Sequence, residues 1–137
     1  MANFSTYARI QMLRGCFTPD WFTAPSDLQL ALTTQVPLVN ASVEELVEPT
    51  QGGYGRCDYQ MGSAWWAETG FGELYNLAPV YFPTVLSSWG TMFGWALVDI
   101  VANQCWVTGG LLKPFIADVG MTPVLGPGVL TIGLYDD

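Results

Sequence analysis

Leu28-Gln29-Leu30-Ala31-Leu32-Thr33 and Gly94-Trp95-Ala96-Leu97-Val98-Asp99-Ile100-Val101 decide the fold class. In the first stretch leucine recurs at every second position, the period of a strand with one buried face. The second is apolar at both parities, as in a strand covered on both sides within a sheet. Further strand patterns lie outward from these two. They cover residues 54–61, with Arg56, Asp58 and Gln60 on one face, and residues 74–82, ended by Pro83. Others are residues 105–107, residues 111–112 ahead of Pro114, which ends that strand or places it at an edge, and residues 129–135. Glycine, proline and asparagine punctuate the chain at the spacing of roughly 8–12 residues typical of an all-β sandwich or barrel. Two helical patterns stand apart. Residues 4–14 form a short helix that Ser5 or Asn3 can cap and Gly15 can end, and Ser42 with Glu45 fits a capping box over a single turn. The expectation is a mainly β fold, a jelly-roll-like antiparallel β-sandwich with a short N-terminal helix. Residues 1–23 form an arm and residues 24–137 a single domain.

Composition narrows the role. Of 137 residues, 50% are hydrophobic and 12% charged, against about 25% charged in ordinary soluble domains. Such a chain is not disordered, because disorder requires few apolar and aromatic residues. With so few charges to cover its outside, it is expected to bury further surface against other chains, as a subunit of a homo-oligomer (dimer or trimer). The four basic residues, Arg9, Arg14, Arg56 and Lys113, face twelve acidic ones, for a net charge of -8. That sign argues against nucleic acid or an anionic membrane as a partner. Residues 74–98 carry no charge, yet they hold Pro79, Pro83, Asn76, Ser87 and Ser88, so a membrane span is not expected. The first residues show no continuous apolar stretch of the secretory kind.

Chemistry is scarce. The chain has no histidine, which removes the commonest general base and the commonest metal ligand. Cys16, Cys57 and Cys105 stand far apart with no CxxC spacing, a poor set for a structural metal. Reduced thiols in a reducing compartment, or one bridge and a free thiol, are both compatible with the sequence. No cofactor or metal is expected. There is no Gly-x-Ser-x-Gly elbow, and Gly52-Gly53-Tyr54-Gly55 leads into a strand pattern where a phosphate loop needs a helix. Asp58 and Asp99 are the one carboxylate pair on strand patterns that a glycan-cleaving enzyme could use. Solvated faces or turn anchors are the plainer reading of both, and no catalytic residue is expected.

The six tryptophans offer recognition instead of reaction. Indole presents a flat apolar face and one polar edge, which suits a sugar ring or a protein groove. Trp89, Trp95 and Trp106 are expected in the core or at a subunit interface. Trp65 and Trp66 are adjacent, so on a strand they point to opposite faces and at least one can turn outward.

Several runs, in order, carry a resemblance. They are residues 24–34 (APSDLQLALTT), 52–56 (GGYGR), 80–83 (VYFP), 88–91 (SWGT), 94–99 (GWALVD), 109–112 (GGLL) and 129–134 (VLTIGL). The set resembles a family of small tailed-bacteriophage virion structural proteins, whose members are described as tail-fibre-like, head-fibre or capsid decoration proteins. The resemblance implies a virion component assembled in the host cytoplasm and placed on the capsid exterior. There it would act as a decoration (cement) protein bridging major capsid subunits. The arm would be the strap, with Phe17, Trp21 and Phe22 as anchors, and its deletion over residues 2–20 is expected to spare the fold. The alternative is a tail or fibre component that contacts host-surface glycan through Trp65 and Trp66.

Overall fold

The computed structural model describes residues 2–18 and 24–133. Eight strands form one sheet in the order β3-β2-β7-β8-β1-β10-β5-β4. They are β1 (Ala2–Phe4), β2 (Leu28–Thr33), β3 (Cys57–Asp58), β4 (Trp66–Glu68), β5 (Glu73–Asn76), β7 (Gly90–Asp99), β8 (Gln104–Ala117) and β10 (Thr131–Gly133). All neighbours are antiparallel except β1 and β10. A separate two-stranded ribbon pairs β6 (Val80–Tyr81) with β9 (Val124–Leu125). One helix, α1 (Thr6–Phe17), precedes β2. The fold is mainly β with a short N-terminal helix.

The sheet is strongly curled. The seven inter-strand steps of this order, at roughly 4.8 Å each, would separate β3 from β4 by roughly 34 Å in a flat sheet. Instead Tyr59, directly after β3, lies edge-on to Trp65 and Trp66 with ring centroids 4.9 and 5.2 Å away. The edges thus meet through side chains, and the inner face becomes the core: Leu28, Leu30 and Leu32 of β2, Trp95 and Leu97 of β7, Val107 of β8 and Ile132 of β10.

β2 differs from its expected half-buried form. Ala31 and Thr33 on its other parity are also fully buried. Ala31, with Ala96, Val98 and Cys105, makes a smaller apolar layer on the outer face, roofed by Val43 and Leu46. The 3-10 turn Val43–Glu45 supplies that roof, and Glu45 closes its capping box on the Ser42 backbone N–H and hydroxyl at 3.3 and 2.9 Å.

β8 runs through what reads in sequence as two short strands. Two irregularities allow it. Leu97 pairs with Val107 and Val98 with Cys105, leaving Trp106 as an extra residue in a bulge, so Trp106 and Val107 both join the inner core. Farther along, Met92 pairs with Phe115 and Gly94 with Gly110. Residues 111–114 therefore have no partner on β7, and Pro114 costs no ladder hydrogen bond there.

The expected strap over residues 1–23 is revised at its start. Ala2–Phe4 is not free but lies between β8 and β10 in the middle of the sheet. Ala2 and Ala8 are fully buried. Ser5 then caps α1 by accepting the Ala8 N–H at 3.0 Å, while its hydroxyl donates to the Cys105 carbonyl. Gly15 does not end the helix; Thr18 does, through its backbone N–H and hydroxyl on the Arg14 carbonyl. Removing residues 2–20 takes out a central strand, so such a truncation is expected to unfold the chain. A three-residue strand shows no periodicity, and Phe4 joins the helical pattern by eye.

Gly109 is the glycine this arrangement requires. A Cβ there would lie 2.3 Å from the Ala2 Cα and 2.5 Å from the Ala2 Cβ. Gly109→Ala therefore forces β1 away from β8 and is expected to cost about 1–3 kcal/mol, read as a lower chemical-denaturation midpoint. Wild-type stability in Gly109→Ala would contradict the close packing of β1.

Candidate functional site

A cleft of about 480 Å³ opens beside the seam where the sheet edges meet, lined by Arg56, Cys57, Asp58, Trp65 and residues 79–83. Strand alternation builds one wall. Val80 and Phe82 point into the core, which turns Tyr81 outward to 65% exposure. The other aromatic face is Trp65, half-buried. Its backbone carbonyl accepts the Tyr59 hydroxyl at 3.0 Å and the Leu77 N–H at 2.8 Å. Pro79 and Pro83 add apolar, conformationally stiff surface to the lining.

The polar groups of the cleft are held in definite states. Arg56 donates through Nε and Nη2 to the two carboxylate oxygens of Glu48, at 2.9 and 2.7 Å. That hydrogen-bonded pairing raises the guanidinium pKa further. Tyr54 donates to the same carboxylate at 2.7 Å and accepts the Leu32 N–H at 3.0 Å. Its phenol is pushed far above the usual range, first by burial and then by the Glu48 charge. This clamp fixes the loop holding Gly52 and Gly53, both at positive φ, and Trp89 Nε1 donates to the Gly52 carbonyl at 2.9 Å. Cys57 donates to the Tyr81 carbonyl, and its thiol is pushed up to about 11 by burial and then by the Asp58 charge. At neutral pH the thiol is protonated and a poor nucleophile. Asp58 is exposed. The cleft therefore holds two aromatic side chains, Tyr81 and Trp65, with one exposed carboxylate and one fixed cation. Aromatic side chains beside polar groups can take up a ring whose faces are apolar and whose edge carries hydroxyls.

The residues singled out in sequence separate here. Trp65 joins the cleft, but Trp66 does not: it is 7% exposed and stacks on Trp95 with centroids 6.5 Å apart. Burial inside the curl uses Trp66 as core, and its Nε1 donates to the Gln60 carbonyl at 3.0 Å. Phe17 is 82% exposed near the end of α1. Trp21 and Phe22 lie outside the described residues. Tyr81 and Arg56 were not singled out, although the in-out alternation of residues 80–82 was a readable signal for Tyr81.

Asp58 and Asp99 do not converge. Asp58 pairs across β2 with Gln29, whereas Asp99 pairs with Leu28. Adjacent residues of a strand face opposite sides, so the two carboxylates do as well. Asp99 is buried and fully engaged, accepting the Val101 and Ala102 N–H groups at 3.0 Å each and Trp106 Nε1 at 3.1 Å. It is a turn anchor. The three cysteines are unpaired thiols, and no group of metal-ligating side chains occurs among the described residues. No helix is long and apolar enough to cross a membrane, among the same residues.

A family model described as podophage GP4 fiber I protein gp80 matches residues 3–132. The chain belongs to that family. It is a phage virion structural protein, as the resemblance implied. The match gives no support to capsid decoration, and the family description is that of a fibre protein. No curated protein matches the chain.

Two outcomes test the site's assignments. Asp99→Ala strips three donors of a buried acceptor and should lower stability by about 1–3 kcal/mol, while Asp58→Ala should leave it near wild type in the same denaturation series. The second concerns pH. Burial raises the Cys57 and Cys105 thiols from 9.0 to about 11. The unfolded chain therefore releases these protons first, and stability is full below pH 9 and falls between about 9 and 11. Melting temperatures across that window should fall less in Cys105→Ala than in wild type.

Proposed function

We propose that this protein is a fibre component of the virion that contacts host-surface glycan through the cleft between Tyr81 and Trp65. The single observation that carries the reading is that the outward Tyr81 ring and the half-buried Trp65 ring line one cleft, together with Pro79 and Pro83. Stacking on such faces gains apolar contact with the axial C–H surface of a pyranose, and polar groups at the rim select its hydroxyls. Membership of a family described by a fibre protein supports the same role. The proposed action is binding without turnover. The thiol in the cleft is protonated, its arginine is bound to Glu48, and Asp58 and Asp99 lie on opposite faces of the sheet.

Rigidity is part of the mechanism. The Tyr59–Trp65 contact and the Tyr54–Glu48–Arg56 clamp hold the cleft before any ligand arrives, so little side-chain entropy is lost on binding. A weak single site is sufficient for a fibre, because several copies on one particle bind with avidity.

The test is a bacterial-surface glycan array probed with the full chain and with Trp65→Ala and Tyr81→Ala. Each substitution should cut binding of the recognised glycan by about tenfold or more, roughly 1.4 kcal/mol, with Phe71→Ala as the unaffected surface control. Binding that survives both substitutions would remove the cleft from the function.

A further inference from the structure

The curl of the sheet encloses a second space, separate from the cleft at Tyr81. An apolar cavity of about 240 Å³ is bounded by side chains from six strands, among them Phe4 of β1, Trp66 of β4, Leu97 of β7, Trp106 of β8 and Ile132 of β10. A sheet of about eight strands closed on itself has an interior that side chains can just fill or that can hold one small ligand. Here the side chains do not fill it. Met61 and Gly62, both exposed, also line the cavity, so it reaches the surface at the loop after β3.

The lining decides what can enter. Among the described residues that line it, no side chain carries a hydroxyl, an amide or a charge. Both indole N–H groups are already committed. Trp66 Nε1 donates to the Gln60 carbonyl at 3.0 Å, and Trp106 Nε1 donates to the Asp99 carboxylate at 3.1 Å. At the mouth, the Gly62 carbonyl accepts the Trp65 and Trp66 N–H groups at 3.1 and 3.0 Å. Buried water is held by about two to four polar partners, and these side chains offer it none. Apolar atoms, in contrast, gain dispersion contacts with such walls.

Charge and size narrow the class further. An ionised group would lose its hydration here with no partner to replace it. Negative charge is opposed twice over. A shallower pocket shares Phe4, Leu74 and Ile132 with the cavity and is also lined by Glu68 and Glu73. Glu68 lies directly opposite Leu74 in the β4–β5 pair, so both side chains leave the sheet on the same face. An apolar cavity of about 150 Å³ takes up benzene. By the same ratio, about 240 Å³ takes a molecule of roughly ten carbon atoms, the size of two fused aromatic rings.

We propose that the interior of the curled sheet is a binding site for one small, uncharged apolar molecule of about that size, in contact with Trp66 and Trp106. The experiment uses naphthalene as the probe and the full chain in two-dimensional NMR, where each indole N–H gives its own signal. Naphthalene should shift the Trp66 and Trp106 signals and leave that of Trp89, which is bonded to Gly52, in place. It should also raise the melting temperature, because it binds the folded chain. 2-Naphthoate, the same two rings with a carboxylate, should bind about tenfold more weakly or worse. Leu74→Trp and Ile132→Trp each fill the cavity from one wall and should weaken naphthalene binding by about tenfold or more. Circular dichroism identifies which variant is folded, and the wild-type signals carry the test if neither is. Unmoved Trp66 and Trp106 signals, shifts confined to Trp65 in the cleft, naphthoate that binds as tightly as naphthalene, or undiminished binding in a folded filled variant would each overturn the proposal.

Discussion

Closure of the sheet by Tyr59 is the contact on which the rest depends. β3 and β4, the two edges, hold only two and three residues, too few to pair with a neighbouring molecule and too few to hold a curled sheet by hydrogen bonds. Tyr59 supplies what the ladder cannot. Its ring packs edge-on against both Trp65 and Trp66, and its hydroxyl donates to the Trp65 and Ala78 carbonyls at 3.0 and 2.7 Å. Burial raises the phenol pKa, so the hydroxyl stays a donor at neutral pH. Trp66 then stacks on Trp95 of β7 and fills the interior of the curl.

The same contact positions the cleft. Trp66 must be inside for the curl to close, and its neighbour Trp65 is thereby held at the rim beside residues 79–83. Adjacent residues thus divide the work between core and cleft. Asn76 supports this arrangement from below. Fully buried, it donates to the Ala78 and Gly126 carbonyls and accepts the Leu130 N–H at 2.9 Å, so every polar group of its side chain is paired. Asn76 therefore ties the turn before β10 to the end of β5, next to the chain that leads into Tyr81.

How much of this was legible follows from the range of each signal. Period-two leucines marked β2, apolar residues at both parities marked β7 as central, and Ser42 with Glu45 marked the capped turn, because those signals are local. β1 was hidden, since three residues beside a helix carry no period and only the approach to Gly109 reveals them. β8 appeared broken at Pro114 because the bulge that tolerates proline is a property of its pairing with β7. Trp65 was legible as a candidate, but its separation from Trp66 was not. Which of two adjacent indoles turns inward is set by Tyr59 and Trp95, distant in sequence and close only after closure. Asp58 and Asp99 show the converse: residue type suggested a pair, and register placed them on opposite faces.

The chemistry left on the surface follows from what the interior has already used. Glu48, Arg56 and Tyr54 are committed to one another, Asp99 to a turn and an indole, and the thiols of Cys57 and Cys105 are held protonated. With no histidine in the chain, no side chain has an ordinary pKa in the interval from about 5 to 8. Under the proposed function, the surface that remains would select its ligand by the shape of the cleft and by hydrogen bonds already fixed within it.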